Sequence, residues 1–259
     1  MRKRVTCKNI LEMDIQFTKD KKIVVHHDDT LERLTGQKEK VEQLNYDQIH
    51  KCKEVVEYPN KDGFYHQKPG IDDGTIPVLE EVFKELPGCI MNIELKVDSR
   101  EMLYKLLDLI VEYKREHITY IGTNIEELNN IAYELTEDTG IRTFAGTWYI
   151  IRTALLYFLG LLPFFDFKYY SVWFPFYEIG AATLMSAEHH HTWYFQLVEV
   201  LVSIILVPMR PMFWHLRRRG IQIILFVINY GELADRALKY PMDGFITEIP
   251  QGMQDYLSK

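Results

Sequence analysis

Short apolar runs of strand-like composition alternate along this sequence with longer runs in which apolar residues have helical spacing. The strand-like runs cover residues 10–16, 22–27, 89–95, 118–122, 142–146, 221–229 and 243–247, and the helix-like runs cover 79–86, 99–113, 126–135 and 232–239. This alternation is typical of a parallel sheet whose strands are joined by crossover helices. The sequence therefore predicts an α/β fold.

The length of the chain narrows the architecture. Its 259 residues, 47% of them hydrophobic, are enough for one large core. A TIM-like (β/α)8 barrel is the leading architecture at this size. A doubly wound open sheet is the alternative, but the sequence has no Gly-rich strand-to-helix fingerprint. We predict one barrel domain over residues 1–259 that carries two insertions.

The two predicted insertions differ in composition. Residues 53–75 are rich in Tyr, Lys, Asp, Gly and Pro and predict a loop or hairpin over one end of the barrel. Residues 150–214 contain 16 of the 34 aromatic residues of the chain but only seven Asp, Glu, Lys or Arg. That segment is either a buried helical insertion or an aromatic lip that enters a membrane interface or holds an acyl chain.

Charge and cysteine content exclude several classes of protein. A net charge of −7 argues against a nucleic-acid binder, and the basic cluster Arg217–Arg219 favours a solvated helix end over a lipid-headgroup contact. Three cysteines without a CxxC pair predict free thiols in a reducing compartment. No apolar signal-peptide core follows the basic residues 1–8, and no stretch of about 20 apolar residues occurs, so neither a signal peptide nor a membrane span is expected.

Glu12 and Asp14 are two residues apart on the first predicted strand. Side chains at this spacing lie on one face of a strand, and two adjacent carboxylates repel each other when they lose contact with water. A cation relieves that repulsion, and ligands that are all oxygen favour Mg²⁺ or Ca²⁺ over zinc. Glu94 and Lys96 have the same spacing on another strand, where they form either a salt bridge or part of a metal and phosphate site.

Two consecutive histidines end the second predicted strand. His27 is on the face of Ile23 and Val25, and His26 is on the opposite face with Val24. If the Val25 face points toward the barrel axis, His27 is the catalytic candidate and His26 lies outside. A lone histidine is more often structural, but a tight turn places this strand directly after the strand that carries Glu12 and Asp14.

Several linked motifs resemble the glycerophosphodiester phosphodiesterase family. The first is Glu12-x-Asp14, followed by a turn, a strand that ends in His27-Asp28, and a Thr-Leu-x-Arg segment. Matching segments follow in the family's order at residues 75–82, 92–96, 227–229 and 243–250, so the resemblance covers about residues 9–257. Residues 157–164 look like the membrane-associated animal branch, which includes lysophospholipase D enzymes.

The resemblance implies roles for five residues. Glu12, Asp14 and Glu94 would bind a divalent metal, either Mg²⁺ or Ca²⁺, His27 would be one of two acid/base histidines, and Lys96 would stabilise phosphoryl oxygens. It implies metal-dependent hydrolysis of lysophospholipids or soluble glycerophosphodiesters. It also implies a membrane surface as partner, at a cytoplasmic face such as that of the endoplasmic reticulum. The sequence does not indicate an oligomeric state.

The sequence departs from the family pattern at its start. The family begins with a strand that ends in His-Arg-Gly, followed by a Glu-Asn-Thr helix start, and neither motif occurs here. We therefore expect an N-terminally truncated member that lacks the first barrel strand. The alternative is a catalytically impaired short form, or an inactive membrane-associated relative that lacks the first catalytic histidine. A sphingomyelinase-D-like lyase also uses a Glu-x-Asp strand, but the 92–96 strand and the 243–250 ending favour the phosphodiesterase.

Overall fold

The computed structural model of the chain describes residues 9–57, 64–68, 73–176 and 208–258. The described residues up to Gly146 form one compact unit, and those from Thr147 onward form another. The prediction of a single barrel domain over residues 1–259 stays a prediction, and each unit is described by itself.

The first unit alternates strands and helices as the sequence predicts. Its strands are β1 (Leu11–Phe17), β2 (Ile23–Val25), β3 (Val55–Glu57), β4 (Phe64–His66), β5 (Met91–Leu95), β6 (Thr119–Gly122) and β7 (Arg142–Thr143). Its α-helices are α1 (Glu32–Thr35), α2 (Leu79–Glu85), α3 (Arg100–Glu112) and α4 (Glu126–Thr136), and short 3-10 turns occupy Val41–Gln43, Tyr46–Gln48 and Glu116–Ile118.

A five-stranded sheet forms the centre of this unit, in the order β2-β1-β5-β6-β7. The pairs β1–β5, β5–β6 and β6–β7 are parallel, and β2 pairs antiparallel with β1 because a tight turn joins them. One face of β1 packs into the main apolar core together with the buried faces of α2, α3 and α4; its members include Met13, Ile15, Ile93, Phe83 and Leu106. The alternate face of β1 is therefore the one that carries its carboxylates.

The predicted insertion at 53–75 contains a β-hairpin. β3 and β4 pair antiparallel, with Val56 opposite Tyr65. That this segment is an insertion over one end of a barrel stays a prediction, and residues 58–63 and 69–72 lie outside the described residues.

The second unit has its own parallel sheet, in the order β10-β9-β8. Its elements are α5 (Thr147–Phe158), a 3-10 turn at Leu162–Phe164, β8 (Ser171–Pro175), α6 at residues 208–218, β9 (Gln222–Phe226), α7 (Gly231–Ala237), β10 (Gly244–Phe245) and α8 (Pro250–Leu257). The interval 150–214, interpreted above as a helical insertion, therefore contains a strand of the sheet. A strand buried on both faces has no alternating pattern, so the aromatic run concealed β8. Residues 177–207 of that interval lie outside the described residues.

The expected state of the cysteines holds at one described position and not at the other. Cys52 is a free cysteine. Cys89, in contrast, is disulfide-bonded, so the prediction of a free thiol is wrong there. Among the described residues, no helix combines the length and the apolar composition that crossing a membrane requires.

Candidate metal centre

The first two site residues lie on the polar face of β1. Met13 and Ile15 point into the apolar core, so Glu12 and Asp14 share the opposite face. Asp14 is mostly buried, with a side chain that is 12% exposed. The alternation that turns Met13 and Ile15 toward the core therefore places both carboxylates on the opposite face of β1.

Parallel pairing with β5 brings the third carboxylate to the same place. Asp14 is paired in register with Glu94, and Glu12 is paired with Asn92. Carboxylate oxygens of Glu12, Asp14 and Glu94 lie within 4.8 Å of one another. The structure therefore assembles all three predicted metal ligands in one cluster from segments about 80 residues apart in the sequence.

Lys96 lies immediately after β5 and bridges two of these carboxylates. Its Nζ atom is 3.0 Å from Asp14 Oδ1 and 3.3 Å from Glu94 Oε2. Burial disfavours the charge of this ammonium, but Asp14 and Glu94 outweigh that effect and raise the pKa of Lys96 above its usual value. Lys96 therefore carries a full positive charge beside the carboxylate cluster at neutral pH.

Glu94 is the most deeply placed of the three carboxylates. Burial raises the pKa of Glu94, and the nearby Asp14 carboxylate raises it further, while Lys96 opposes both effects. Asn124, just after β6, donates a hydrogen bond of 2.8 Å from Nδ2 to Glu94 Oε1. The carboxylate is thus fixed in orientation but disfavoured as an anion, a state that an added cation would relieve.

His27 lies at the end of the strand that pairs with β1. Its ring is close enough to act electrostatically on Glu94, and 49% of its side chain is exposed. Nδ1 of His27 lies 2.8 Å from Asp28 Oδ1. This contact favours the tautomer with hydrogen on Nδ1, which leaves Nε2 as the atom able to exchange a proton.

Arg33 holds the carboxylate that orients His27. Its Nε donates to Asp28 Oδ2 at 2.6 Å, and its guanidinium also donates to the Glu57 carbonyl oxygen at 2.7 Å. Burial alone would raise the pKa of Asp28, but hydrogen bonds from Arg33 and His27 leave it lowered. Asp28 therefore stays ionised and fixed between these two residues.

The neighbouring histidine has a different environment. His26 is buried, and its Nε2 is 3.1 Å from the Thr30 carbonyl oxygen. Burial lowers the pKa of His26, which keeps its ring neutral. Gln16, on the polar face of β1, donates from Nε2 to the Asp28 carbonyl oxygen at 2.5 Å and so anchors the loop that carries His27.

The three carboxylates fit a divalent cation by their chemistry. All donor atoms are oxygen, as Mg²⁺ and Ca²⁺ prefer, and two of the three side chains are largely shielded from water. Lys96 offsets part of the negative charge that Asp14 and Glu94 bring together. Glu12, Asp14 and Glu94 are thus the residues that could hold a metal, although the donor set does not select between the two ions.

Sequence patterns identified five residues of this site and missed four. Asn124, Asp28, Arg33 and Gln16 were not among the predicted site residues, although the His-Asp and Thr-Leu-x-Arg segments contain two of them. One feature could have indicated Asn124: it lies just after β6, which pairs in parallel with β5, the strand that carries Glu94. Its contact follows from strand order, which a single sequence does not reveal.

The α/β fold of the chain is that of the TIM-barrel phosphoric diester hydrolases, and the family match assigns the chain to that class. The chain belongs to the glycerophosphoryl diester phosphodiesterase family, whose sequence model matches residues 8–251. The predicted fold class, family and enzyme class are thereby confirmed.

Curated relatives cover most of the chain. Human lysophospholipase D GDPD1 is 30% identical over 254 residues, which are 96% of this chain and 77% of that protein. A glycerophosphodiester phosphodiesterase from Caldanaerobacter subterraneus is 26% identical over 96% of this chain and 86% of its own length. Both animal and bacterial members of the family are thus similar to it.

Solved structures of the family share the fold. The Thermotoga maritima glycerophosphodiester phosphodiesterase superposes with a TM-score of 0.54 at 20% identity and covers 91% of this chain and 80% of its own. An Oleispira antarctica phosphodiesterase, solved with the product sn-glycerol-3-phosphate, has a TM-score of 0.55 at 14% identity and covers 97% and 86%. At these identities the comparison supports the fold alone.

Proposed function

We propose that this protein hydrolyses glycerol-linked phosphodiesters with the help of a divalent cation, and that lysophospholipids are its main substrates. The observation that carries the proposal is the cluster of Glu12, Asp14 and Glu94, bridged by Lys96 across two parallel strands. Such a cluster places cation ligands and a fixed ammonium beside one another, as binding of a phosphodiester requires.

Glu12, Asp14 and Glu94 would hold the cation, either Mg²⁺ or Ca²⁺. When bound, that ion would supply Lewis-acid polarisation of a phosphoryl oxygen. Burial and the Asp14 charge raise the pKa of Glu94, which means that they destabilise its ionised form. A bound cation would stabilise that ionised form, so the same two effects favour cation binding. Asn124 keeps the Glu94 carboxylate from rotating away.

Lys96 has a second role in this proposal. Its ammonium contacts Asp14 and Glu94, and a cation that neutralises those carboxylates would leave Lys96 available to a phosphoryl oxygen. A lysine suits this task because its three donors can follow the change in phosphoryl geometry during the reaction.

His27 would move the proton. Attack on phosphorus by water, or by a neighbouring glycerol hydroxyl, forms one P–O bond while the bond to the headgroup oxygen breaks. His27 Nε2 would exchange a proton with one of those two oxygens, because Asp28 holds Nδ1. Asp28 and Arg33 act as positioning residues for this ring.

The lipid preference has two supports. Four relatives from human and mouse are named lysophospholipase D, and they are 26–30% identical over most of this chain. The aromatic residues of the second unit include several with exposed side chains. A membrane surface is accordingly part of the proposal, and a cytoplasmic face such as that of the endoplasmic reticulum stays a prediction.

Choline release tests the proposal directly. We expect the folded protein to release choline from lysophosphatidylcholine with Mg²⁺ or Ca²⁺, to lose that activity in EDTA, and to release it more slowly from glycerophosphocholine. Equal rates on both substrates would contradict the lipid preference but not the proposed hydrolysis itself. A folded protein that binds the cation but turns over neither substrate would contradict the catalytic proposal and favour the impaired or inactive alternative.

Asp28→Asn is expected to lower kcat about tenfold, with cation affinity unchanged. The substitution removes the charge that fixes the His27 ring but none of the metal ligands, and partners of this kind typically contribute 10–100-fold. Steady-state kinetics with calorimetric cation titration separates the two effects. The exposed neighbour provides the control, since Asp29→Asn should behave as wild type. A loss of cation affinity in Asp28→Asn would place Asp28 in the metal site instead.

A further inference from the structure

Helix α5 has apolar side chains on two opposite faces. Tyr149 packs edge-to-face on Phe167 and Tyr169, and Tyr157 donates a hydrogen bond of 2.9 Å to the Pro208 carbonyl oxygen. These contacts hold one face of the helix against its own unit. The other face is apolar as well, although a surface helix normally has charged or polar residues there.

The outer face of α5 is exposed. Its apolar residues recur at the three- and four-residue spacing that places them in one stripe, and their exposed fractions range from 49% to 64%; they are Trp148, Ile151, Leu155 and Phe158. No Asp or Glu occurs in the helix, which runs Thr147–Phe158.

The segment after α5 extends this apolar surface. Leu159, Leu161, Phe164 and Phe165 are exposed, and Phe164 reaches 83%. A surface with eight exposed large apolar side chains in eighteen residues is costly in water and marks an interaction site. We define the α5 face as these four residues together with the four of the outer stripe of α5.

Arginines lie at the border of the α5 face. Arg152 is exposed beside the stripe, with its guanidinium over the Tyr149 ring. Arg219 donates to the Leu162 carbonyl oxygen at 3.4 Å, within the segment after α5, and also lies 3.9 Å from the Asp166 carboxylate. Arg217 and Arg218 also line one pocket with Trp214, an exposed indole. Asp243 neutralises Arg217 through an ion pair of 2.8 Å, so the exposed Arg152 and Arg218 are the residues that give this border its positive charge.

We propose that the α5 face docks on an anionic membrane surface. Trp and Phe side chains favour the headgroup boundary, and an apolar helix face bordered by arginines is the pattern of an interfacial helix. A two-fold dimer through the α5 face would bring this basic border against itself, whereas anionic headgroups would attract it, so charge complementarity selects a lipid surface over a second copy. The inference rests on the proposed lipid substrate, and it names the surface that brings the enzyme to it.

Vesicle sedimentation of the purified protein tests this inference without any turnover. We expect binding to phosphatidylcholine vesicles that contain 30% phosphatidylserine, as the probe chosen here, and weaker binding to phosphatidylcholine alone. Leu155→Glu and Phe164→Glu should each weaken binding about tenfold or more, the cost of losing one buried apolar side chain. Arg218→Glu should reduce the preference for the anionic vesicles.

Matched variants separate this surface from the catalytic proposal. Val111→Glu replaces a 55% exposed apolar residue on helix α3 of the first unit and should bind vesicles as wild type does. Asp14→Asn should also bind vesicles fully, so a failed catalytic proposal would leave this result intact. Wild-type binding by both Leu155→Glu and Phe164→Glu would overturn the inference. The inference would also be overturned if sedimentation velocity showed a changed oligomeric state in those variants while vesicle binding stayed unchanged.

Discussion

Asp14→Asn is expected to reduce metal-dependent turnover by about 10²–10³-fold and cation affinity by at least about tenfold. The substitution removes one ligand charge from the cluster of Glu12, Asp14 and Glu94 and one of the two partners of Lys96. Lys96 keeps its contact with Glu94, at 3.3 Å, so the fold should survive. Calorimetric titration with Mg²⁺ and Ca²⁺ measures affinity, and choline release measures turnover.

A control with the same chemical change should have no such effect. Glu101→Gln neutralises a carboxylate on α3 that is 60% exposed and pairs with Lys21. Because exposed pairs contribute little, this variant should bind the cation and turn over substrate as wild type does. If Asp14→Asn bound both ions with wild-type affinity, the cluster would not be a metal centre. The basis for the proposed function would then be lost.

Arg115→Met is expected to destabilise the protein by about 3 kcal/mol, because three hydrogen bonds from one guanidinium to carbonyl oxygens are lost at roughly 1 kcal/mol each. Arg115 follows α3 and is completely buried, and it donates to the carbonyl oxygens of Leu86, Pro87 and Cys89. These carbonyls lie in the connection between α2 and β5. Chemical denaturation with a two-state analysis of the first transition measures the change.

Burial of Arg115 opposes part of this effect, because desolvation of the guanidinium is a cost that methionine does not carry. Burial lowers the pKa of this guanidinium, and its only described aromatic contact is with the Phe83 ring at 4.6 Å. A methionine fills the volume of the stem but satisfies none of the carbonyls. Arg100→Met is the comparison, since Arg100 is 60% exposed and pairs with Glu127 on the surface. That variant should lose less than about 1 kcal/mol, and equal losses in the two variants would contradict the role given to Arg115.

The sequence by itself determined the local elements and the residue pairs within them. Period two in residues 10–16 placed Glu12 and Asp14 on one face, and the same spacing placed Glu94 with Lys96. Those predictions needed only side-chain alternation, which is a property of any strand. The family resemblance then linked the two strands, and the match to residues 8–251 confirmed it.

The directions of the two histidine side chains could not be predicted from periodicity alone. Alternation predicts that His26 and His27 point in different directions, but it does not state which direction is the interior of the site. The structure buries His26 against Thr30 and places His27 beside Asp28, where the charge of the His27 ring would lower the pKa of Glu94. β2 pairs antiparallel with β1, so Val25 shares the apolar-core face of Ile15, and strict alternation would turn His27 toward that face as well. His27 lies beyond β2, and its direction is set by the loop that Gln16 and Arg33 hold through Asp28.

Only the tertiary structure decided which distant residues meet. Asp14 lies opposite Glu94 because β5 pairs with β1 in that register, and Asn124 reaches Glu94 because β6 is the next strand. Tertiary structure also decided the roles of the aromatic segment. Part of it forms β8 because it pairs with β9, and another part forms α5, whose outer apolar face is exposed to solvent. Alternation along one strand is fixed by local backbone geometry, whereas strand order and register depend on the packing of the whole sheet.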